Sequence, residues 1–152
     1  MGKGVLLRGP SGAGKSDLAL RLISQSVSPE FLSPEFLETG TGRVGPASAQ
    51  LVADDQVIVH RADGKLYARP PATLAGKLEV RGVGIVQLPY LSEIAVALVV
   101  DLVPIESIER LPELGQTIEI NNVVVPNLAL APFEASAPAK IALALACLPS
   151  IS

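Results

Sequence analysis

Short apolar runs, broken by glycine, proline and acidic residues, recur along this chain, and few of them are long enough for a helix. Gly4-Val5-Leu6-Leu7-Arg8 reads as a short buried strand. Leu18, Leu22 and Ile23 fall on one stripe at helical spacing and predict a helix over residues 15–23. Gln50-Leu51-Val52-Ala53 predicts a strand that ends in Asp54-Asp55, and Val57-Ile58-Val59 starts another that runs to about Arg61. Ala62-Asp63-Gly64-Lys65 carries Asp-Gly at its centre, a hairpin signal, and Leu66-Tyr67-Ala68-Arg69 returns. Pro70-Pro71 stops that strand, and residues 72–75 can form one helical turn. Alternation predicts a strand over Lys77-Leu78-Glu79-Val80-Arg81. The glycines of Gly82-Val83-Gly84-Ile85-Val86 predict a tight bend beside a ligand or another backbone. Residues 95–103 form an apolar strand, and residues 117–120 and 123–125 flank Asn121-Asn122 as a hairpin. Ser136 stands where it can cap a last helix over residues 137–148, with Pro138 in its first turn. Strands outnumber helices, so the expected fold class is α/β, a mixed sheet covered by helices.

Residues 24–49 fit no such pattern. Ser28-Pro29-Glu30-Phe31-Leu32 is followed at once by Ser33-Pro34-Glu35-Phe36-Leu37, a local duplication too short for a solenoid. Gly40, Gly42, Gly45 and Pro46 then break regular structure. The expectation is one domain over residues 1–152 with a flexible, exposed insertion at 24–49.

Composition narrows the class. At 152 residues, one domain is the default. With 49% apolar residues, 3% aromatics and no Trp, the core must be built from Leu, Val, Ile and Ala. That excess of aliphatic residues also suggests faces buried between subunits, a homo-oligomer. A net charge of −3 argues against a nucleic-acid surface, which needs clustered Lys and Arg. The single Cys147 excludes an intramolecular disulfide and a multi-cysteine zinc site. It lies in an apolar helical run and reads as a buried small hydrophobe, and a cytoplasmic location is expected. The first eight residues lack the pattern of a signal peptide, and no apolar stretch reaches the ~18 residues of a membrane span. His60, the one histidine, reads as an exposed strand-end side chain rather than a base.

The chemistry concentrates at Gly9-Pro10-Ser11-Gly12-Ala13-Gly14-Lys15-Ser16, which matches the phosphate-binding pattern G-x-x-x-x-G-K-[ST] at every fixed position. Glycines let the backbone curl so that its N–H groups face a polyphosphate. Lys15 can reach the β- and γ-phosphates, and the Ser16 hydroxyl can ligate Mg²⁺. Strand, glycine loop and helix in that order aim a helix N-terminus at phosphate. Asp54-Asp55, at the end of an apolar strand, stand where a second acidic motif would meet that metal. One carboxylate can hold Mg²⁺ or its water, and the other can accept a proton from an incoming hydroxyl. Glu79 and Arg81, two apart on one predicted strand, share a face. Glu79 can add an oxygen to the Mg²⁺ shell and Arg81 can neutralise phosphate charge, although a surface ion pair would use the same spacing.

Three strings, in order, resemble one family. Residues 4–16, Leu51-Val52-Ala53-Asp54-Asp55 and Leu78-Glu79-Val80-Arg81-Gly82-Val83-Gly84-Ile85 are similar to the phosphate loop, the paired-aspartate strand and the signature motif of HPr kinase/phosphorylase. The likeness covers residues 3–104 well and the remainder weakly, and the length is similar to a short, catalytic-domain-only form. The resemblance implies a P-loop-containing fold like that of phosphoenolpyruvate carboxykinase, assembled as hexamers. It implies phosphorylation of a serine of the phosphocarrier protein HPr with ATP or pyrophosphate, and removal of that phosphate by phosphorolysis. It further implies nucleotide binding by Gly9 to Ser16, stabilisation of the migrating phosphoryl group by Lys15, and Mg²⁺ ligation by Ser16 and Glu79. Asp55 of the aspartate pair would be the proton acceptor forward and the donor in reverse, and Arg81 would belong to the catalytic set with Asp54. The chain departs from the family in three places. The family's upstream histidine would fall before Met1, no Arg follows Arg110, and the 24–49 stretch is longer than the family's short turn. Two alternatives follow, an ATP-binding regulator with weakened catalysis and a P-loop small-molecule kinase.

Overall fold

The computed structural model describes residues 2–24, 49–113 and 115–148. All but the two end residues of the expected 24–49 insertion, its repeat included, lie outside the described residues. In chain order the elements are β1 (Gly4–Arg8), α1 (Lys15–Ser24), β2 (Ile58–Ala62), β3 (Lys65–Arg69), β4 (Lys77–Val80), β5 (Gly84–Gln87), β6 (Ile94–Leu102), β7 (Thr117–Ile120), β8 (Val123–Leu130) and α2 (Ala137–Ala146), with single 3₁₀ turns at Ala72–Leu74 and Ile105–Ser107.

β2, β3, β6, β8 and β7 follow one another across a mixed sheet, and β1 also pairs with β6. β1 runs parallel to β6, with Leu7 opposite Val100 and Arg8 opposite Asp101, and β6 runs parallel to β8. The β2–β3, β3–β6 and β7–β8 pairs are antiparallel. The three parallel strands therefore end on the same side, the side to which the β1–α1 loop belongs. β4 and β5 form a separate two-stranded ribbon.

β6 is apolar almost throughout because both of its faces are covered. Leu98, Val100 and Leu102 pack with Leu18 of α1 and with Ala137, Ile141 and Leu145 of α2. Val99, between them, faces the other way and packs with Leu66, Val123 and Val125. Leu18 and Leu22 both join the first cluster, so the predicted helical stripe is the buried face of α1. Both predicted hairpin turns form by the left-handed backbone they require. Asp63 and Gly64 have φ of 51° and 74°, and Asn121 and Asn122 have 50° and 62°, the signature of two-residue turns that suit the strand twist.

Five expectations are corrected. Residues 50–53 do not form a ladder strand. Leu51 makes one isolated parallel bridge with Tyr90, anchored by the Leu91 N–H donating to the Leu51 carbonyl at 2.8 Å, and the chain then bends. Three apolar residues supply burial but no second strand to continue the pairing. Arg81 lies past the end of β4, in the turn closed by the Val83 N–H on the Val80 carbonyl at 3.0 Å. Ser136 has helical φ and ψ (−81°, −2°) and its hydroxyl caps nothing; the Ala137 N–H bonds to the Glu134 carbonyl instead. Cys147 is exposed, because α2 ends at Ala146 and leaves it beyond the packed face. His60 is half-buried within β2, its ring stacked on Tyr67 at 5.5 Å and its Nε2 4.0 Å from Glu93. No described helix is long and apolar enough to cross a membrane.

Candidate functional site

The β1–α1 loop is shaped by its own sequence. Gly12 and Gly14 take φ of 81° and 97°, which side chains resist, and the Ala13 N–H closes a turn on the Pro10 carbonyl at 3.0 Å. The Leu18 N–H donates to the Gly14 carbonyl at 2.9 Å, the first bond of α1. The helix thus begins inside the motif, and the N–H groups ahead of Leu18 have no carbonyl within the helix to bond. Those groups and the positive end of the helix favour an anion. Lys15 folds back so that its Nζ donates to the Gly9 carbonyl at 2.7 Å, which places the ammonium across the mouth of the loop.

Asp54 joins this loop to the rest of the site. The Ser16 hydroxyl donates to Asp54 Oδ1 at 2.7 Å, and the Glu79 backbone N–H donates to Asp54 Oδ2 at 3.0 Å. A single carboxylate therefore ties the phosphate-loop serine to the start of the β4–β5 ribbon. Asp55, its neighbour, is exposed and left-handed (φ 58°), and the Gln56 N–H bonds to the Asp54 carbonyl at 2.6 Å. An i→i+2 bond around a residue of positive φ is a strained γ-turn, and Asp is among the few side chains that tolerate it. It separates the two aspartates, with Asp54 turned to Ser16 and Asp55 left at the solvent side. Glu79 is exposed and contributes its backbone here. Arg81 is exposed in the ribbon turn and makes no side-chain hydrogen bond among the described residues.

The Ser16 hydroxyl and the Asp54 carboxylate form a pair of oxygen donors that suits a hard divalent cation, and Glu79 meets them through its backbone N–H. No group of three His, Cys, Asp or Glu gathers among the described residues. Such a set leaves most positions on an ion to water and phosphate, the mode Mg²⁺ favours. A mostly apolar cavity of about 350 Å³ lies beside β1, lined by Leu22, Leu51, Val96 and Ile141 as well as Lys15, Asp54 and Asp55. The loop amides, rather than these aliphatic walls, match a phosphate.

Two further clusters escaped the sequence reading. Asp101, at the β6 end next to β1, is engaged by Arg8: Nε to Oδ1 at 2.8 Å and Nη2 to Oδ2 at 3.1 Å. Asn127 of β8 adds Nδ2 to Oδ2 at 3.0 Å. Asp101 is an acidic residue near the C-terminal end of the strand beside β1, yet its charge is already neutralised. Only the parallel register, which sets Arg8 opposite Asp101, shows this. The Arg8 hydrogen bonds hold the Asp101 carboxyl below the usual carboxylate range against the opposing effect of partial burial, with Asn127 assisting. A depressed carboxylate pKa stabilises the folded chain above the unfolded value and loses that contribution as pH falls through the folded one. With both groups about a third exposed, the contribution is about 1 kcal/mol or less. Urea midpoints of the parent chain should fall between about pH 5 and pH 3, and Asp101→Asn should show a smaller fall over that window. Equal falls would refute the assignment.

The second cluster lies on the other side of the loop. Arg21 bonds to Asp17 Oδ2 at 3.0 Å, to the Glu134 carbonyl at 3.2 Å and to the Pro132 carbonyl. It pins the β8–α2 connection to the helix that begins in the phosphate loop. An Asp and an Arg at helical spacing four apart were visible in the sequence, but their reach across more than 110 residues was not.

No family model matches the chain. In sequence it is similar to HPr kinase/phosphorylase of Clostridium tetani, 37% identical over 90 residues, which are 59% of this chain and 22% of that protein. It is also similar to HPr kinase/phosphorylase of Streptococcus thermophilus, 31% identical over 140 residues, which are 85% of this chain and 38% of that protein. The chain thus spans well under half the length of these curated relatives. Among solved structures it superposes on the HPr(Ser) kinase/phosphatase from Coxiella burnetii with a TM-score of 0.66 and 24% identity, covering 93% of this chain and 84% of that one. The expected α/β fold, a mixed sheet with few helices, is that of this solved structure, and the resemblance to HPr kinase/phosphorylase is borne out in both sequence and fold.

Proposed function

We propose that this chain is the catalytic unit of a serine-protein kinase/phosphorylase acting on HPr, with ATP or pyrophosphate as phosphoryl donor and Mg²⁺ as cofactor. One observation carries the reading. The Asp54 carboxylate bonds at once to the Ser16 hydroxyl and to the Glu79 N–H, so the three motifs that resemble the family meet at one point.

The roles proposed draw on that geometry and on the resemblance. Gly9, Pro10, Ser11, Gly12, Ala13, Gly14, Lys15 and Ser16 hold the polyphosphate by backbone N–H groups, with the Lys15 ammonium swinging from the Gly9 carbonyl to the transferring phosphoryl group. Ser16, Asp54 and Glu79 would hold Mg²⁺, which when bound neutralises phosphate charge. Asp55, on the solvent side of its γ-turn, takes the proton of the attacking seryl hydroxyl and returns it in phosphorolysis, because a base forward is an acid in reverse. Arg81, on the ribbon turn beyond Glu79, supplies positive charge near the acceptor. Phosphoryl transfer asks little more of a protein than this alignment and charge balance.

Incubation with ATP, Mg²⁺ and HPr tests the proposal. Phosphate on an HPr serine, released again by inorganic phosphate, is the expected result, and an unmodified HPr would sink it. A homo-oligomer, and specifically a hexamer, is part of the same proposal. Val83, Ile85, Leu111 and Val124 are 64–89% exposed, apolar surface of the kind subunit contacts cover. Light scattering should give a mass well above 15.8 kDa, and a monomer would remove this part.

A further inference from the structure

Phe133 is 71% exposed, yet the connection that carries it is firmly held. Ala131 and Pro132 before it are buried. Arg21 bonds to the carbonyls on both sides of it, those of Pro132 and Glu134. Lys140 donates to both carboxylate oxygens of Glu134, at 3.2 and 3.1 Å. The pinned backbone holds this apolar ring at the surface, ready for a ligand.

The ring's position says which. Its Cζ and Cε1 atoms lie 2.9 and 3.0 Å from where a Cβ on Gly14 would stand, so Phe133 rests directly on the phosphate loop, next to Lys15. Gly14 is thus required twice, for its φ of 97° and for the space the ring fills. The connection follows β8, whose C-terminal end lies on the same side as those of β1 and β6, where α/β sheets take their ligands. A nucleotide with its phosphates on the loop amides must lay its base close by, and an aromatic face is the surface on which bases of any kind stack.

Building on the nucleotide reading above, we infer that Phe133 is the base platform of this site, a face for the purine or pyrimidine of a nucleoside triphosphate, held in place by Arg21. The phosphates do not touch it. The subsite therefore separates a nucleotide donor from an inorganic one.

Calorimetry with Mg²⁺-ATP and with Mg²⁺-tripolyphosphate, which has phosphates but no base, tests this on the parent chain, Phe133→Ala and Phe133→Trp. Phe133→Ala should weaken ATP binding about tenfold, the scale of one lost base stack, and leave tripolyphosphate binding unchanged. Phe133→Trp should keep ATP affinity. Its indole, the sole Trp in the chain, should be quenched by ATP and not by tripolyphosphate. Equal weakening of both ligands in Phe133→Ala would mean that the ring only props the loop, and would overturn the inference. No change with either ligand would overturn it too, and would leave the ring to a protein surface. A parent chain that binds tripolyphosphate as tightly as ATP would sink the platform alone. A parent that binds neither would sink the nucleotide reading with it.

Discussion

On the proposed function, Lys15→Ala is expected to lower ATP-dependent phosphorylation of HPr by about a hundred- to a thousandfold, the effect of removing one preorganised charge from a transferring group. Little structural loss accompanies it. The Lys15 ammonium bonds only to the Gly9 carbonyl among the described residues, and alanine is the best helix former at the start of α1. Circular dichroism and the thermal midpoint should match the parent while phosphoserine on HPr disappears. Activity retained at a tenth of the parent or more would show that phosphate lies elsewhere. The substitution also discriminates between the readings. A regulator that binds ATP without turnover would lose binding with Lys15→Ala but show no transfer to lose. A small-molecule kinase would show transfer that HPr does not accept.

Asp55→Asn is expected to reduce transfer by about 10²–10⁴-fold, the range of general-base contributions. ATP binding should be unaffected, because Asp55 makes no hydrogen bond to the phosphate loop among the described residues. Asparagine accepts the left-handed conformation at φ 58° about as readily as aspartate, so the γ-turn survives and only the proton acceptor is lost. Phosphorylation and phosphorolysis should fall together. Asp54→Asn should behave differently. It weakens the hydrogen bond from Ser16 and removes a charge beside it, so the Mg²⁺ concentration for half-maximal activity should rise while saturating Mg²⁺ restores part of the rate. Full rescue of Asp55→Asn by Mg²⁺, with a dead Asp54→Asn, would exchange the two roles.

Legibility in the sequence followed the range of the physics involved. The glycine loop, the stripe on α1 and both two-residue hairpins were readable because left-handed backbone and helical periodicity are properties of a few adjacent residues. β6 was readable because burial on both faces forces a continuous apolar run. The strand expected at residues 50–53 was not found, since an apolar triplet says nothing of whether a partner strand lies alongside. The face shared by Glu79 and Arg81 also failed, because the glycine-rich turn begins one residue before the alternation ends. Cys147 failed for a similar reason: its apolar neighbours belong to a helix that stops at Ala146.

By itself the sequence determined that a glycine-rich turn opens a helix, that acidic and basic candidates lie downstream of it, and where the chain reverses tightly. Tertiary structure alone decided that Asp54, rather than Asp55, meets Ser16 across 38 positions, that Arg8 occupies Asp101 across 93, and that Phe133 settles on Gly14. Backbone preferences reach only a few residues, whereas these contacts depend on strand register and on the paths of the connections between strands. The acidic pair was visible as two like charges; only the turn between them gave each a different setting.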